Sequence, residues 1–316
     1  MGSEQVDDVV VVGGGVIGLT TALVLAERGA RVRVWTRDPV EATTSAVAGA
    51  LWWPYRIEPR ALARAWALRS LDVYEELAAR SELTGVRMVE GVLGEASLDE
   101  ADAWATARLP GLRATTAEEY AGSGLWARLP VIDMATFLPW LRDRFLKAGG
   151  AIETRSVSGF AEVEAPVVVN CTGLGARELV PDTSVRPVRG QLVVVENPGI
   201  RTWLTSTDAD GEMAYFFPQP GRLLLGGTAV EDDWSPEPDP GVAEAIVRRC
   251  AALRPELAGV RVLGHRVGLR PVRDAVRLER EPLPDGRVLV HNYGHGGAGV
   301  TVAWGCAQEA AGLASS

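Results

Sequence analysis

Hydrophobic and polar positions divide the chain into readable blocks. Val9–Val12 is a short apolar run of the kind that forms a strand buried on both faces. GGGVIG follows, then TTALVLAERG, where apolar residues recur at helical spacing until Gly29, a good helix terminator. RVRVW, residues 31–35, alternates as a strand, so the opening predicts a βαβ unit. Past residue 50 the pattern turns helical, as in ALARAWALRSLDVYEELAAR. Six of the ten tryptophans lie between positions 52 and 140, where most are expected to pack in a core. APVVVNCTG (165–173) reads as a short buried strand. VRGQLVVVE, MAYFFPQ and RLLLGGT read as strands of a larger, partly antiparallel sheet. EDDWSPEPDP reads as a loop and VAEAIVRRCAALRPEL as a surface helix. RVLVHNYGHGGAGVTVAWGCAQEAAGL ends the chain as strand, glycine loop and helix.

These elements imply an α/β protein with two interleaved domains. The βαβ unit, the strand near 170 and the last strand–loop–helix are expected to share one sheet, giving a discontinuous domain of residues 1–50, 150–185 and 265–316. Residues 51–149 and 186–264 would form the second domain. The length of 316 residues suffices for both. A net charge of −9 argues against nucleic acid, and the arginines form no polybasic membrane anchor. No apolar run approaches the roughly 20 residues of a membrane span. The stretch VVVVGGG lacks the basic flank of a signal peptide. Cys171, Cys250 and Cys306 have no metal-ligand spacing and cannot all pair, which suits a reducing cytoplasm and predicts no metal.

Gly13, Gly15 and Gly18 form GxGxxG between a strand and a helix. They permit a tight turn, close approach of backbone to a pyrophosphate, and tight helix–strand packing. The helix start then offers free N–H groups to the phosphates. An acid is expected at the end of the second strand for a ribose. Asp38 comes late, and Arg37 is the alternative contact. The second glycine loop, HNYGHGGAGVT at 291–301, would reach the same long cofactor. Arg270, between Leu269 and Pro271, is either a buried ion-pair member or a clamp whose guanidinium fork grips an anionic ligand.

Six segments in order, VVVVGGGVIGLTTA, AGALWWPY, VNCTG, RGQ, GLRPVRDAVRLE and HNYGHGGAGVTVAWGCAQEAA, resemble the D-amino-acid oxidase flavoprotein family, which includes the D-aspartate oxidases, in its bacterial form. The resemblance spans almost the whole chain. It implies a Rossmann-like FAD-binding domain and a substrate-binding domain on a mixed, largely antiparallel sheet. It also implies non-covalent FAD and oxidative deamination of neutral or apolar D-amino acids. Hydride would pass from Cα to flavin N5, releasing a 2-oxo acid, ammonia and hydrogen peroxide. Dioxygen would be the second substrate, and a homodimer is an open option.

The same resemblance assigns residues. Arg270 would bind the substrate carboxylate, Tyr215 would add a hydrogen bond to it, and the Gly297 carbonyl would accept from the amine. Gly13, Gly14, Gly15, Val16, Ile17 and Gly18 would hold the pyrophosphate, with Thr43, Thr44 and Ser45 nearby. Gly49, Ala50 and Leu51 would follow the flavin, as would Gly296, Gly297, Gly299, Val300 and Thr301. Val157 would meet the adenine, and Thr172 would lie at the flavin side of a strand end. His291 and His295 are expected to be structural.

Three positions depart from the mammalian members of the family. Arg37 stands where they have an acid. Trp53 replaces a glutamine and could line an apolar pocket or merely pack. Gly211 replaces a lid tyrosine, so the lid in TSTDADGEMAY is expected to be short or without an aromatic gate, with faster product release. D-aspartate oxidase and a glycine or sarcosine oxidase are the near alternatives. An NAD(P)-dependent dehydrogenase or an inactive FAD-binding protein is the distant one.

Overall fold

The computed structural model describes residues 8–99, 103–109, 111–207 and 211–315. Asp208 to Asp210 of the expected lid lie outside them. The opening unit is β1 (Asp8–Val12), α1 (Val16–Glu27) and β2 (Arg31–Thr36), with β1 and β2 parallel. Next come α2 (Arg60–Ala78), α3 (Ser81–Thr84), β3 (Val86–Gly94), α4 (Ala103–Arg108), β4 (Arg113–Ala114), β5 (Gly124–Ile132) and α5 (Met134–Lys147). The middle holds β6 (Ala151–Thr154), β7 (Val167–Asn170), α6 (Ala176–Leu179), β8 (Arg186–Glu196), β9 (Trp203–Thr207), β10 (Met213–Gln219), β11 (Arg222–Gly226) and β12 (Val230–Glu231). Helix α7 (Pro240–Leu253), β13 (Val262–Pro282), β14 (Val288–His295) and α8 (Gly299–Ser315) complete the order.

All strands join one sheet in the order β4-β5-β3-β9-β10-β11-β8-β13-β14-β7-β1-β2-β6, with β12 paired onto β8. The end from β14 to β6 is parallel. Elsewhere neighbours run antiparallel, apart from β3 beside β9. This is a mixed α/β fold with a mostly antiparallel sheet, as the sequence predicted.

The sequence reading did not anticipate β13. This strand of 21 residues pairs its first half with β8 and its second half with β14, with a register shift between Val272 and Arg277. It therefore carries Arg270 from the antiparallel part of the sheet to the edge of the parallel part, where Val272 faces His295. The surface helix also ends earlier than expected, at Leu253, followed by a short turn at Pro255–Leu257.

Helix α1 is apolar on nearly every face, and residues from Leu19 to Leu23 are fully buried. Such a helix needs cover on all sides. The sheet and α8 supply it, joining Leu19, Leu23, Val302 and Ala303 in one core. Trp52, Trp66 and Trp203 are fully buried in that core. No helix among the described residues is long and apolar enough to cross a membrane.

Candidate active site

A cavity of 1290 Å³ extends from the C-terminal ends of β1 and β2 across the sheet to β8, β10 and β13. Both glycine segments line it, together with Val157 and the expected contacts at 37–38, 43–45, 49–51 and 299–301. Gly18 does not. A Cβ there would stand 1.9 Å from the Gly13 carbonyl oxygen, so Gly18 serves helix–strand packing. Gly13 has φ +120°, and a Cβ on it would lie 2.3 Å from the Cys171 carbonyl oxygen. Only glycine fits that turn.

The N-terminus of α1 opens into this end of the cavity. Its cap residue Gly15 has no side chain to satisfy it; the Ser45 hydroxyl accepts from Val16 N–H at 2.9 Å instead. Thr43 Oγ1 donates to Val40 O at 2.8 Å. At the far end Arg37 Nε donates to Asp38 Oδ2 at 2.9 Å, both well exposed. The two rival ribose contacts thus pair with each other, and at that exposure the pair is worth little. Arg155, which the sequence reading passed over, lies 3.8 Å over the Trp35 ring at the same end.

At the other end Arg270 lines the cavity. No carboxylate among the described residues lies within ion-pair distance of it, and its Nη1 donates to Thr228 O at 3.0 Å. The guanidinium rests on Gly190, where a Cβ would be 2.4 Å from Nη2. Tyr215 sits beside it, and burial pushes the phenol's pKa up while Arg270 pulls it down. The hydroxyl therefore stays protonated and able to donate. Phe217 stacks on the Tyr215 ring at 4.8 Å. Gly297 faces this group: a Cβ on it would be 3.4 Å from Arg270 Cδ and from the Tyr55 ring. Tyr55 in turn donates to Met213 Sδ at 3.2 Å.

Trp53 lines the cavity and leans on Trp104, with ring centroids 5.9 Å apart. Its backbone binds Thr301 twice: Thr301 Oγ1 accepts from Trp53 N at 3.3 Å and donates to Trp53 O at 3.0 Å. The Thr172 hydroxyl is likewise engaged, donating to Asn170 Oδ1 at 2.7 Å. Tyr55, Phe217 and Met213 were missed as site residues. Phe217 shared the strand alternation with Tyr215, so period two carried its signal. Tyr55 stood inside the AGALWWPY motif.

The histidines differ. His291 is buried away from the cavity, with Nδ1 at 3.3 Å from Asn170 Nδ2 and Nε2 at 3.2 Å from Glu281 Oε2. The second approach is close enough for an ion pair but poorly aligned for a hydrogen bond. Burial, then Arg277, pushes its pKa down. His295 lines the cavity, and burial pushes it down to about 3. Its Nε2 has no hydrogen-bond partner, nor has Asn292 Oδ1, which is also on a cavity-lining residue. Buried polar atoms are almost always paired, so two orphans on one cavity fit a polar ligand there. With the glycine turn and the helix start, they fit a long dinucleotide such as FAD.

Comparison with known proteins agrees. The family model "FAD dependent oxidoreductase" matches residues 8–313. A D-amino-acid oxidase of Streptomyces coelicolor is 79% identical over 313 residues, covering 99% of this chain and 98% of the relative. One from Rubrobacter xylanophilus is 49% identical, covering 97% and 95%. Among solved structures, glycine oxidase from Geobacillus kaustophilus shares the fold, with a TM-score of 0.80, 21% identity, and coverage of 98% and 95%. From the first glycine turn to the last helix, this chain belongs to the FAD-dependent oxidoreductase family of the D-amino-acid oxidases.

Proposed function

We propose that this protein oxidises neutral and apolar D-amino acids to 2-oxo acids, releasing ammonia and hydrogen peroxide. One observation carries the reading: a half-buried arginine without a carboxylate partner among the described residues, beside a protonated tyrosine, shares a cavity with a dinucleotide-binding turn. FAD, when bound, supplies the two-electron acceptor for the Cα–H, with dioxygen as the final oxidant.

The chain's own groups do the positioning. The Arg270 fork takes the α-carboxylate through two parallel hydrogen bonds. The Tyr215 hydroxyl donates a third. The Gly297 carbonyl accepts from the amine, which fixes a second point on the substrate. With carboxylate and amine held, only one enantiomer turns its Cα–H toward the cofactor while its side chain faces the pocket. Trp53, Tyr55 and Met213 make that pocket apolar. No side-chain base is needed, and both histidines are held neutral by burial.

The GxGxxG turn and Ser45 hold the pyrophosphate, residues 49–51 and 296–301 follow the flavin, and Val157 meets the adenine. This assigns residues 1–50, 150–185 and 265–316 to cofactor binding, and 51–149 and 186–264 to substrate binding. The setting is cytoplasmic, with a homodimer as the assembly to check by light scattering.

The test is an anaerobic visible spectrum of the holoenzyme before and after adding D-alanine, then L-alanine. Flavin bands that bleach with the D form alone support the reading. A flavin spectrum that neither form changes refutes it.

A further inference from the structure

Tyr215 stands opposite Gly226 in the β10–β11 pairing, and its ring folds over that partner and the next residue. A Cβ on Gly226 would lie 2.2 Å from the phenol Cζ, and one on Gly227 would lie 2.5 Å from the hydroxyl oxygen. Two bare backbone units therefore form the seat of the hydroxyl that the substrate carboxylate would meet. With no side chain on either to brace it, whatever fixes the Gly227 backbone also fixes the hydroxyl.

Helix α7 supplies that brace. Arg249 Nη2 donates to Gly227 O at 3.1 Å. The next residue, Cys250, is fully buried, with its Sγ 3.4 Å from Tyr215 O and 3.7 Å from Gly226 O. Consecutive residues of α7 thus grip both strands of the pair that holds the phenol. Gly227 N adds a bond of 3.4 Å to Met213 O.

Arg249 is costly where it stands. Its side chain is 19% exposed, and its Nε is buried without a hydrogen-bond partner. Its Nη1 lies 3.6 Å from Glu212 Oε2, on a side chain that is 57% exposed. So long and wet an ion pair contributes little, and an orphaned buried donor destabilises. An apolar side chain would serve the fold at least as well. What the guanidinium adds is its hold on the Gly227 carbonyl.

The neighbouring clamp has its own support. Thr228 O accepts from Arg270 Nη1, and Thr228 Oγ1 accepts from Gln191 N–H, each at 3.0 Å. Loosening Gly227 is therefore expected to free the phenol and leave the Arg270 fork in place.

We propose that Arg249 is a positioning residue for substrate binding: by holding the Gly227 carbonyl, it keeps the Tyr215 hydroxyl at the substrate carboxylate. The proposal rests on Arg270 and Tyr215 marking the substrate site. A residue acting through that hydroxyl loses its effect once the hydroxyl is gone. One that merely supports the fold acts with or without it, and a double-mutant cycle separates the two.

The experiment titrates holoenzyme with benzoate, a carboxylate with no Cα–H to oxidise, and follows flavin absorbance. Wild type, Arg249→Met, Tyr215→Phe and the double variant are compared. Tyr215→Phe is expected to raise Kd about 10-fold or more, the loss of one hydrogen bond to a charged group. Arg249→Met should raise it about 3- to 10-fold alone, and by less than about 2-fold in the Tyr215→Phe background. Arg249→Lys, which can still donate to a carbonyl, should recover part of the loss. If Arg249→Met does not hold FAD, Arg249→Gln, which keeps a polar side chain, enters the same cycle with the same outcome expected. Equal effects in both backgrounds would overturn the positioning role. If Tyr215→Phe binds benzoate as wild type does, the placement of Tyr215 has failed and the proposal with it. A weakened Tyr215→Phe beside an unaltered Arg249→Met sinks the positioning role alone.

Discussion

Gly190→Ala separates the carboxylate clamp from the fold that carries it. The φ of Gly190 lies outside the left-handed region, so alanine can adopt its backbone, and its strand partner across β13 is Gly268. The added Cβ would stand 2.4 Å from Arg270 Nη2, 2.5 Å from Cζ and 2.6 Å from Nη1. Non-bonded heavy atoms need about 3.5 Å, so the guanidinium must retreat by about 1 Å. It is the free end of a flexible side chain, and the retreat costs the fold little; a change within about 1 kcal/mol is expected. Function should suffer more. Moving the fork breaks the 3.0 Å bond to Thr228 O and misaligns both N–H groups with a carboxylate. One hydrogen bond to a charged group is worth about 1.5–3 kcal/mol, or about 10- to 160-fold in affinity. The assay is the Kd for D-alanine from anaerobic flavin reduction, with thermal melting as the control for folding. An unchanged melt with a Kd within a factor of two of wild type would refute the placement of Arg270.

Other expectations follow from the same geometry. Arg270→Ala should cost about 3–5 kcal/mol in substrate binding, with Arg270→Lys recovering only part because it lacks the fork; full activity in Arg270→Ala would end the assignment. Gly18→Ala puts a Cβ 1.9 Å from backbone that cannot yield, so it should lower the melting temperature and weaken FAD binding in a titration of apoprotein; an unaltered variant would contradict the packing. His295 is depressed from the usual 6.5 to about 3, so the unfolded chain binds the extra proton. Stability should therefore be full above pH 6.5 and fall between pH 6.5 and 3, by about 1.4 kcal/mol per pH unit. Melts at pH 8 and 5 should show a larger loss for wild type than for His295→Gln, and equal losses would argue against a buried neutral ring. Burial pushes the Cys171 and Cys250 thiols up to about 12 and raises the Cys306 thiol well above its ordinary value. A thiol reagent should thus label none of the 3 in native protein and all after denaturation; rapid native labelling would count against the core packing.

What the sequence determined by itself was local. Strand, glycine turn and helix at residues 9–29 follow from runs and spacings that act within a few residues, and the last strand–loop–helix follows likewise. The GxGxxG spacing needs no distant partner to be recognised, and the quoted motifs identified the family. Strand β13 was different. Gly264, Gly268 and Pro271 interrupt its alternation among several arginines, and what makes it a strand is the hydrogen bonding offered by β8 and β14 on either side. Strands β3 and β5 went unread for the same reason, since they rely on each other's pairing. At the site, the sequence left Arg270 two readings, and only the fold shows it resting on Gly190 and bonded to Thr228 O, with no acid in ion-pair range among the described residues. Arg37 and Asp38 looked like competing contacts until they were seen to pair. The segment EDDWSPEPDP read as a loop, and only the fold shows Arg189 and Gln191, 46 and 48 positions earlier, bonding its Ser235 and Asp239 carbonyls beside the cavity wall. Periodicity records which face of an element is buried. It does not record which distant backbone will meet that face, and the contacts that position ligand-binding groups are of that second kind.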